Sequence, residues 1–322
     1  MYKKLPFKPF PILQSSHVQT FIGSCTHWCK EPISTTKFIS LSDGDEIAVE
    51  ISTPKDWNPN GGVSVLMVHG LCGSHRSSYL IRLTNKLMQK GIRCIRYNMR
   101  GCGSGKGRAK YICNASRSED FLKAFYTLAL DTPNSPFIVI GFSLGGNLVL
   151  SSTGVIGKEA QGIIKKVISV SPPSDLFRSA MLLTKSKNTF YQYNFLRVLK
   201  SRIREREKLY PDFPKVTFPK EMNVIDFDSI CTAPEGGYKD ALDYYKKCSS
   251  KPLLENIVVD TRILFAKDDP IIWADQLDDL SLPENIQIFK TEKGGHLGHL
   301  ARRKDGGFYW MDRLIEDWIL DA

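Results

Sequence analysis

The 322-residue chain has no apolar stretch long enough to cross a bilayer, which would take about 20 consecutive apolar residues. Internal repeats and nucleic-acid motifs are also missing, so neither an array fold nor base readout is expected. Acidic residues are relatively scarce. Lys plus Arg is 44 against 34 for Asp plus Glu, a net charge of +10. That balance favours solubility and anionic surfaces without naming a partner. The N-terminal segment is basic, and Pro6, Pro9 and Pro11 interrupt its apolar part, so it makes a poor signal peptide. Without secretion, the eight cysteines are expected to be reduced thiols, and the expected compartment is cytoplasmic.

Two motifs are incomplete. Cys25-Thr26-His27-Trp28-Cys29 offers three candidate ligands at cramped spacing with no second pair to close a tetrahedron, so no metal is expected. Asn98 to Gly107 is glycine-rich, but Gly-x-Gly-x-x-Gly fails from Gly101, where position 106 is Lys, and from Gly103, where position 108 is Arg. The Gly-x-x-x-x-Gly-Lys-Ser/Thr pattern is not met either. A mobile glycine loop bordering a site is expected there, with no nucleotide and no other cofactor.

What is present is an alternation of strand and helix patterns. Alternating residues at 36–41 and 46–52 flank the turn signal Ser42-Asp43-Gly44-Asp45 and predict a β-hairpin. Apolar runs at 63–68 and 137–142 read as buried strands, and 92–97, 166–171, 261–266 and 286–289 read as further strands. Helical periodicity covers 76–90, 116–130 (with Ser116 as its cap) and 308–320. Residues 176–255 lose this alternation. They are rich in Tyr and Phe, and Lys185 to Lys208 carries eight Lys/Arg against two Glu. The expected organisation is an N-terminal arm (1–35), an α/β core (36–175 and 256–322) with a mostly parallel sheet flanked by helices, and an inserted helical cap or lid (176–255). The basic face of that cap is either a solvated helix surface or a receiver of anionic or interfacial substrate.

The most informative stretch is Phe137-Ile138-Val139-Ile140-Gly141-Phe142-Ser143-Leu144-Gly145-Gly146-Asn147. A buried strand, a Gly-x-Ser-x-Gly turn and a helix start in succession predict a nucleophile elbow. The turn would hold Ser143 in a strained conformation with its Oγ exposed, and Leu144 N–H at the helix head would point at a developing oxyanion. His69-Gly70-Leu71-Cys72-Gly73 follows an earlier strand and fits the loop that supplies a second such N–H, from Leu71. His69 itself precedes the nucleophile and reads as structural. Lys267-Asp268-Asp269-Pro270 and Gly294-Gly295-His296 follow the last two strands. Ser, Asp and His then occur in the chain order of an α/β-hydrolase triad. Ser143 is the candidate nucleophile, His296 the base and Asp269 the acid. Asp268 is the alternative acid and Asp175 a third candidate, and His299 is read as a bystander entering the next helix.

His17-Val18-Gln19-Thr20, His69-Gly-Leu-Cys-Gly-Ser, Asn98-Met-Arg-Gly-Cys, Gly141-Phe-Ser-Leu-Gly-Gly-Asn, Asp268-Asp-Pro and Gly294-Gly-His-Leu-Gly together resemble the YheT-like hydrolases. These form the AB hydrolase 4 branch of the α/β-hydrolase superfamily. The resemblance runs from about residue 9 to the end of the chain. It implies a serine hydrolase with carboxylesterase or lipase-like activity, with Ser143, Asp269 and His296 carried over by motif position. Some eukaryotic members are membrane-anchored and act on phospholipid acyl chains, and this chain does not have their N-terminal membrane helix. Val18 stands where Leu is more usual, and His299 is unusual. The expected activity is cleavage of small acyl esters or lipids through an acyl-enzyme. A phospholipase, thioesterase or amidase would share the triad, and a hydrolase-fold binding protein would have no turnover. Peripheral contact with an anionic membrane through the basic cap is an open expectation, and oligomeric state is not written in the residues.

Overall fold

The structure is a computed structural model that describes residues 2–25, 29–301 and 307–321. The strand runs assemble into one twisted sheet. Its strands are β1 (Lys3–Lys4), β2 (Thr35–Ser40), β3 (Glu46–Ser52), β4 (Ser64–Val68), β5 (Arg93–Asn98), β6 (Phe137–Phe142), β7 (Ile164–Val170), β8 (Asp260–Ala266) and β9 (Ile286–Thr291). Their spatial order is β1-β9-β8-β7-β6-β4-β5-β3-β2. The β2–β3 and β3–β5 pairs are antiparallel and the other pairs are parallel.

The central strands β4 and β6 read as almost unbroken apolar runs because both faces are covered by helices. Val65 and Met67 of β4 pack in one core layer, and Leu66 and Val68 pack in the other. Helices α2 (Ser78–Met88) and α10 (Trp310–Leu320) cover the first layer. Helices α3 (Ser118–Asp131) and α4 (Leu144–Ile156) cover the second. α4 is buried almost all round, which explains why its sequence is apolar without a polar stripe. α2 and α10 are tied by Arg82, whose Nε and Nη2 donate to Asp312 at 2.6 and 3.0 Å. This order brings the loops after β4, β6, β8 and β9 to one end of the sheet, where α/β folds bind ligands.

Between β7 and β8 the described chain forms no strand. It contains α5 (Leu176–Leu183), α6 (Thr189–Leu209), α7 (Val224–Phe227), a π-turn at Asp228–Thr232, α8 (Ala233–Glu235) and α9 (Ala241–Cys248).

Several local expectations are corrected. The first 35 residues are not wholly irregular: α1 (Ser16–Cys25) is a helix, and β1 adds a short parallel strand beside β9. Proline density had suggested an irregular arm, but the prolines stop at Pro11 and the helix begins beyond them. Thr26, His27 and Trp28 of the cramped Cys/His motif lie outside the described residues. Ser116 does not cap α3. The helix begins at Ser118, and Ser116 Oγ donates to Asn114 Oδ1 at 2.6 Å. The final helix starts at Trp310, two residues later than its periodicity suggests. His299 enters no helix but sits in a turn with φ of 44°. The glycine loop after β5 lines a neighbouring cleft without Ser143, and Arg100 at its base is locked to Asp43, Asp45 and Asp120.

Candidate active site

Ser143 stands between β6 and α4 with φ 52° and ψ −122°, a conformation that costs of order 1–3 kcal/mol for a residue with a side chain. Crowding explains the glycines on either side. A Cβ on Gly141 would lie 2.2 Å from Gly145 O, and one on Gly145 would lie 2.5 Å from His69 O. The turn therefore tolerates no side chain at either position, and Ser143 is left half-exposed above the sheet end.

Ser143 Oγ lies 3.0 Å from His296 Nε2, and His296 Nδ1 lies 2.8 Å from Asp269 Oδ2. The three groups come from the loops after β6, β9 and β8. Asp269 is buried, and its second oxygen accepts the N–H groups of Ile271 and Ile272 at 2.8 and 2.9 Å. That carboxylate is therefore held in one orientation. With Nδ1–H donated to Asp269, Nε2 is free to take the Ser143 proton.

The other acidic candidates have different partners. Asp268 Oδ1 accepts Gly295 N–H at 2.9 Å, and burial pushes its carboxyl above the usual range. Asp175 caps α5 by accepting Arg178 N–H at 3.0 Å. Neither is bonded to His296. His69 is fully buried and structural. Met99 N–H donates to its Nε2 at 3.2 Å, so Nδ1 carries the proton and donates to Gly70 O at 2.8 Å. Burial lowers its pKa to about 4, which keeps it neutral. His299 is buried between Phe7 and Trp310, with Nε2 3.0 Å from Thr291 Oγ1. Its backbone N–H closes the loop onto Gly294 O at 3.0 Å. It is a bystander to proton transfer but a wall of the His296 loop.

Leu71 and Leu144 both line the cavity that contains Ser143. Among the described residues neither N–H has a backbone acceptor outside regular structure.

α1 supplies contacts that the motifs did not reveal. Thr20 Oγ1 accepts His296 N–H at 2.8 Å. Gln19 brackets Leu300, donating to its carbonyl at 3.1 Å and accepting its N–H at 2.6 Å. A Cβ on Gly295, which has φ of 60°, would meet Ser16 O at 2.4 Å. His17-Val18-Gln19-Thr20 was visible as a motif, but only the fold reveals that it grips the histidine loop.

Two cavities meet at Ser143. One, about 800 Å³ of open space, is lined mainly by apolar side chains, including Leu176, Ala180, Leu183, Phe195 and Phe227. Its polar patch is Asp228, whose two oxygens accept from Thr232 Oγ1 and Tyr245 OH at 2.6 Å each. Burial raises the Asp228 pKa to about 6. The second cavity also holds His296 and opens past Phe21 of α1 and Phe190 of α6.

Comparison with known proteins agrees with this fold. Residues 63–302 match the α/β-hydrolase fold family. The chain is 27% identical to YheT of Escherichia coli, a protein named as an esterase, over 97% of this chain and 92% of that one. It is 24% identical to the phospholipase ABHD3 of Homo sapiens over 91% of this chain and 77% of that one. It is also 30% identical to a monoacylglycerol lipase of Saccharomyces cerevisiae, but over 76% of this chain and only 56% of the yeast protein. Among solved structures, 2,6-dihydroxy-pseudo-oxynicotine hydrolase superposes with a TM-score of 0.58 at 18% identity, covering 90% of this chain and 68% of that one, a likeness of fold. The chain belongs to the α/β-hydrolase fold family, on its YheT-like branch.

Proposed function

We propose that the protein is a serine esterase that cleaves acyl esters through Ser143, His296 and Asp269. The observation that carries this reading is the unbroken hydrogen-bond chain from Ser143 Oγ through His296 to Asp269, with Ser143 in the strained elbow conformation. His296 takes the hydroxyl proton as Ser143 Oγ attacks the ester carbonyl. The carbonyl oxygen becomes an oxyanion held by the Leu71 and Leu144 N–H groups. The tetrahedral adduct collapses, the C–O bond to the alcohol breaks, and the alcohol leaves with the proton from His296. Water, deprotonated by His296, then attacks the acyl-Ser143 ester and releases the carboxylic acid. Asp269 keeps the imidazole in the productive tautomer and stabilises its charged form.

In this reading the apolar cavity takes the acyl chain, the second cavity takes the alcohol, and residues 176–255 act as a cap over both. The yeast and human relatives named as lipase and phospholipase support a lipid-like ester as substrate. The test is turnover of a p-nitrophenyl ester series of increasing chain length. Ser143→Ala should remove turnover, and Asp269→Asn should lower kcat by roughly 10³–10⁴. Full activity in Asp269→Asn would move the acid to Asp268 or Asp175. Full activity in Ser143→Ala would defeat the proposal.

A further inference from the structure

The mouth of the second cavity is framed by two helices from distant parts of the chain. α1 and α6 meet through His17 and Tyr191, with His17 Nδ1 2.9 Å from the Tyr191 hydroxyl and the rings stacked 5.6 Å apart. Both helices turn aromatic side chains outward. Phe21 is 53% exposed, Phe190 60% and Tyr193 64%. Phe21 and Phe190 line the same cavity as Ser143 and His296, so the aromatic rim surrounds an entrance to the catalytic serine. Large aromatics gathered around a cavity mouth are unusual on a surface that meets only water.

The charge around this rim has one sign. From Leu176 to Arg204 the chain carries seven Lys/Arg and no Asp or Glu. Three of these cations are turned inward or engaged: Arg202 reaches Gly73 O at 3.3 Å, Arg204 pairs with Glu207 at 2.8 Å, and Lys200 lies over the Phe218 ring. Arg178 pairs with Asp175. Lys185, Lys187 and Arg197 are exposed, and they enter no ion pair among the described residues. The two lysines precede Phe190 in the turn that starts α6. Arg197 follows Phe190 and Tyr193 at spacings of seven and four, on the same helix face.

Exposed aromatics beside unpaired cations, on a segment that carries no Asp or Glu from 176 to 204, form the composition that lies in the interface of an anionic bilayer. We propose that this rim is a membrane-docking surface. The exposed faces of α1 and the first half of α6 seat on anionic lipid, and the cavity mouth opens toward the bilayer. The orientation, though not the charge argument, rests on the esterase reading above. A folded protein seated on the rim would cover the entrance to Ser143, whereas a lipid surface would deliver ester to it. The geometry therefore favours a bilayer over a protein partner.

The test uses the full chain with Ser143→Ala, so that no vesicle lipid is consumed. The protein is floated with vesicles of phosphatidylcholine alone, or with vesicles in which phosphatidylserine makes up about a third, at ~0.1 M salt, where the screening length is about 10 Å. Several-fold more protein is expected on the anionic vesicles, and high salt should strip most of it. Lys185→Gln with Lys187→Gln should weaken that binding on the order of tenfold or more. Tyr193→Ser should weaken it further. In the wild-type background the same substitutions should leave turnover of a water-soluble short-chain ester intact. Equal partition onto both vesicle types, no partition, or lysine variants that bind like the parent would each overturn the proposal. So would retention on soluble heparin with no vesicle binding, which would indicate a polyanion or acidic protein partner. A wild-type protein that turns over soluble ester but does not float loses only the docking surface. One that floats as expected but hydrolyses no ester keeps the surface and loses the esterase reading.

Discussion

Thr20 stands 276 positions from His296, yet its hydroxyl oxygen accepts the His296 backbone N–H at 2.8 Å. The same hydroxyl donates to Ser16 O at 2.8 Å, so it is fixed in direction. Removing the acceptor would leave a part-buried N–H unsatisfied, at a cost of about 1–3 kcal/mol, and would free the loop that aims the imidazole. Thr20→Val should therefore lower kcat by roughly tenfold with little change in KM, a loss of about 1.4 kcal/mol of transition-state stabilisation. Thr20→Ser should restore it. A variant that raises KM alone, or that serine does not rescue, would mean that Thr20 contributes only to packing. Asp268 and Asp269 illustrate how much one residue of register matters. Asp269 reaches the imidazole, whereas its neighbour is spent on Gly295 N–H of the same histidine loop. Both carboxylates thus serve one loop, one through its side chain and one through its backbone.

At the scale of elements, α5 and α6 determine the shape of the apolar cavity. Ala180 and Leu183 of α5 face Phe195 and Leu199 of α6 across it. Ala180 is the smallest apolar side chain in that lining and is 93% buried (7% exposed). Filling the space with Ala180→Trp should shorten the preferred acyl chain, so that the ratio of long-ester to short-ester kcat/KM falls by on the order of tenfold or more. The chain-length series measures this directly, and an unchanged ratio would move the acyl chain out of this cavity. The π-turn at Asp228–Thr232 belongs to the same wall. Such turns often occur at functional sites. Here it places a carboxyl with two hydroxyl donors on an otherwise apolar surface.

At the scale of the whole molecule, buried titratable groups from three regions couple folding to pH. His69 and His299 are fully buried, and burial lowers each pKa from 6.5 to about 4. A lowered histidine contributes stability that is present above its unfolded pKa and lost as pH falls through its folded one. Asp228 acts in the opposite sense. Its pKa is raised from 3.8 to about 6, so its contribution is present below 3.8 and lost as pH rises through about 6. Between about pH 6 and about pH 4, two histidine protons are opposed by the Asp228 proton and, toward the acid end, in part by Asp268, whose carboxyl is also raised by burial, leaving a net slope of at most about 1.4 kcal/mol per pH unit toward acid instability. Denaturant titrations across this range should show that slope. Asp228→Asn should roughly double it, and His299→Gln should nearly abolish it. A stability curve that is flat below neutrality would contradict the buried, neutral state of both histidines.

Much of this molecule was legible before folding because its signals are local. A strand followed by Gly141-Phe142-Ser143-Leu144-Gly145 can form only a turn so tight that side chains at 141 and 145 would strike backbone, and that constraint is written within five residues. The central strands β4 and β6 were readable from their apolar runs, and the order Ser, Asp, His followed from which strand precedes each motif. The residues favoured Asp269, directly before Pro270, but kept Asp268 and Asp175 as alternatives, because adjacent carboxylates after one strand have nearly the same local pattern. Only the loop geometry separates their partners. The N-terminal segment was the least legible part. Its prolines describe the chain up to Pro11, while α1 is held by contacts to residues near 296 and 300 that no local pattern encodes. His299 likewise looked like the start of a helix until the turn closed its N–H onto Gly294 O. Local sterics and hydrophobic pattern thus determined the strands, the elbow and the candidate chemistry. Tertiary packing alone decided which carboxylate meets the histidine, what holds the histidine loop, and which aromatic residues are left facing outward at the mouth, because each depends on groups from 27 to 276 positions apart arriving at one end of the sheet.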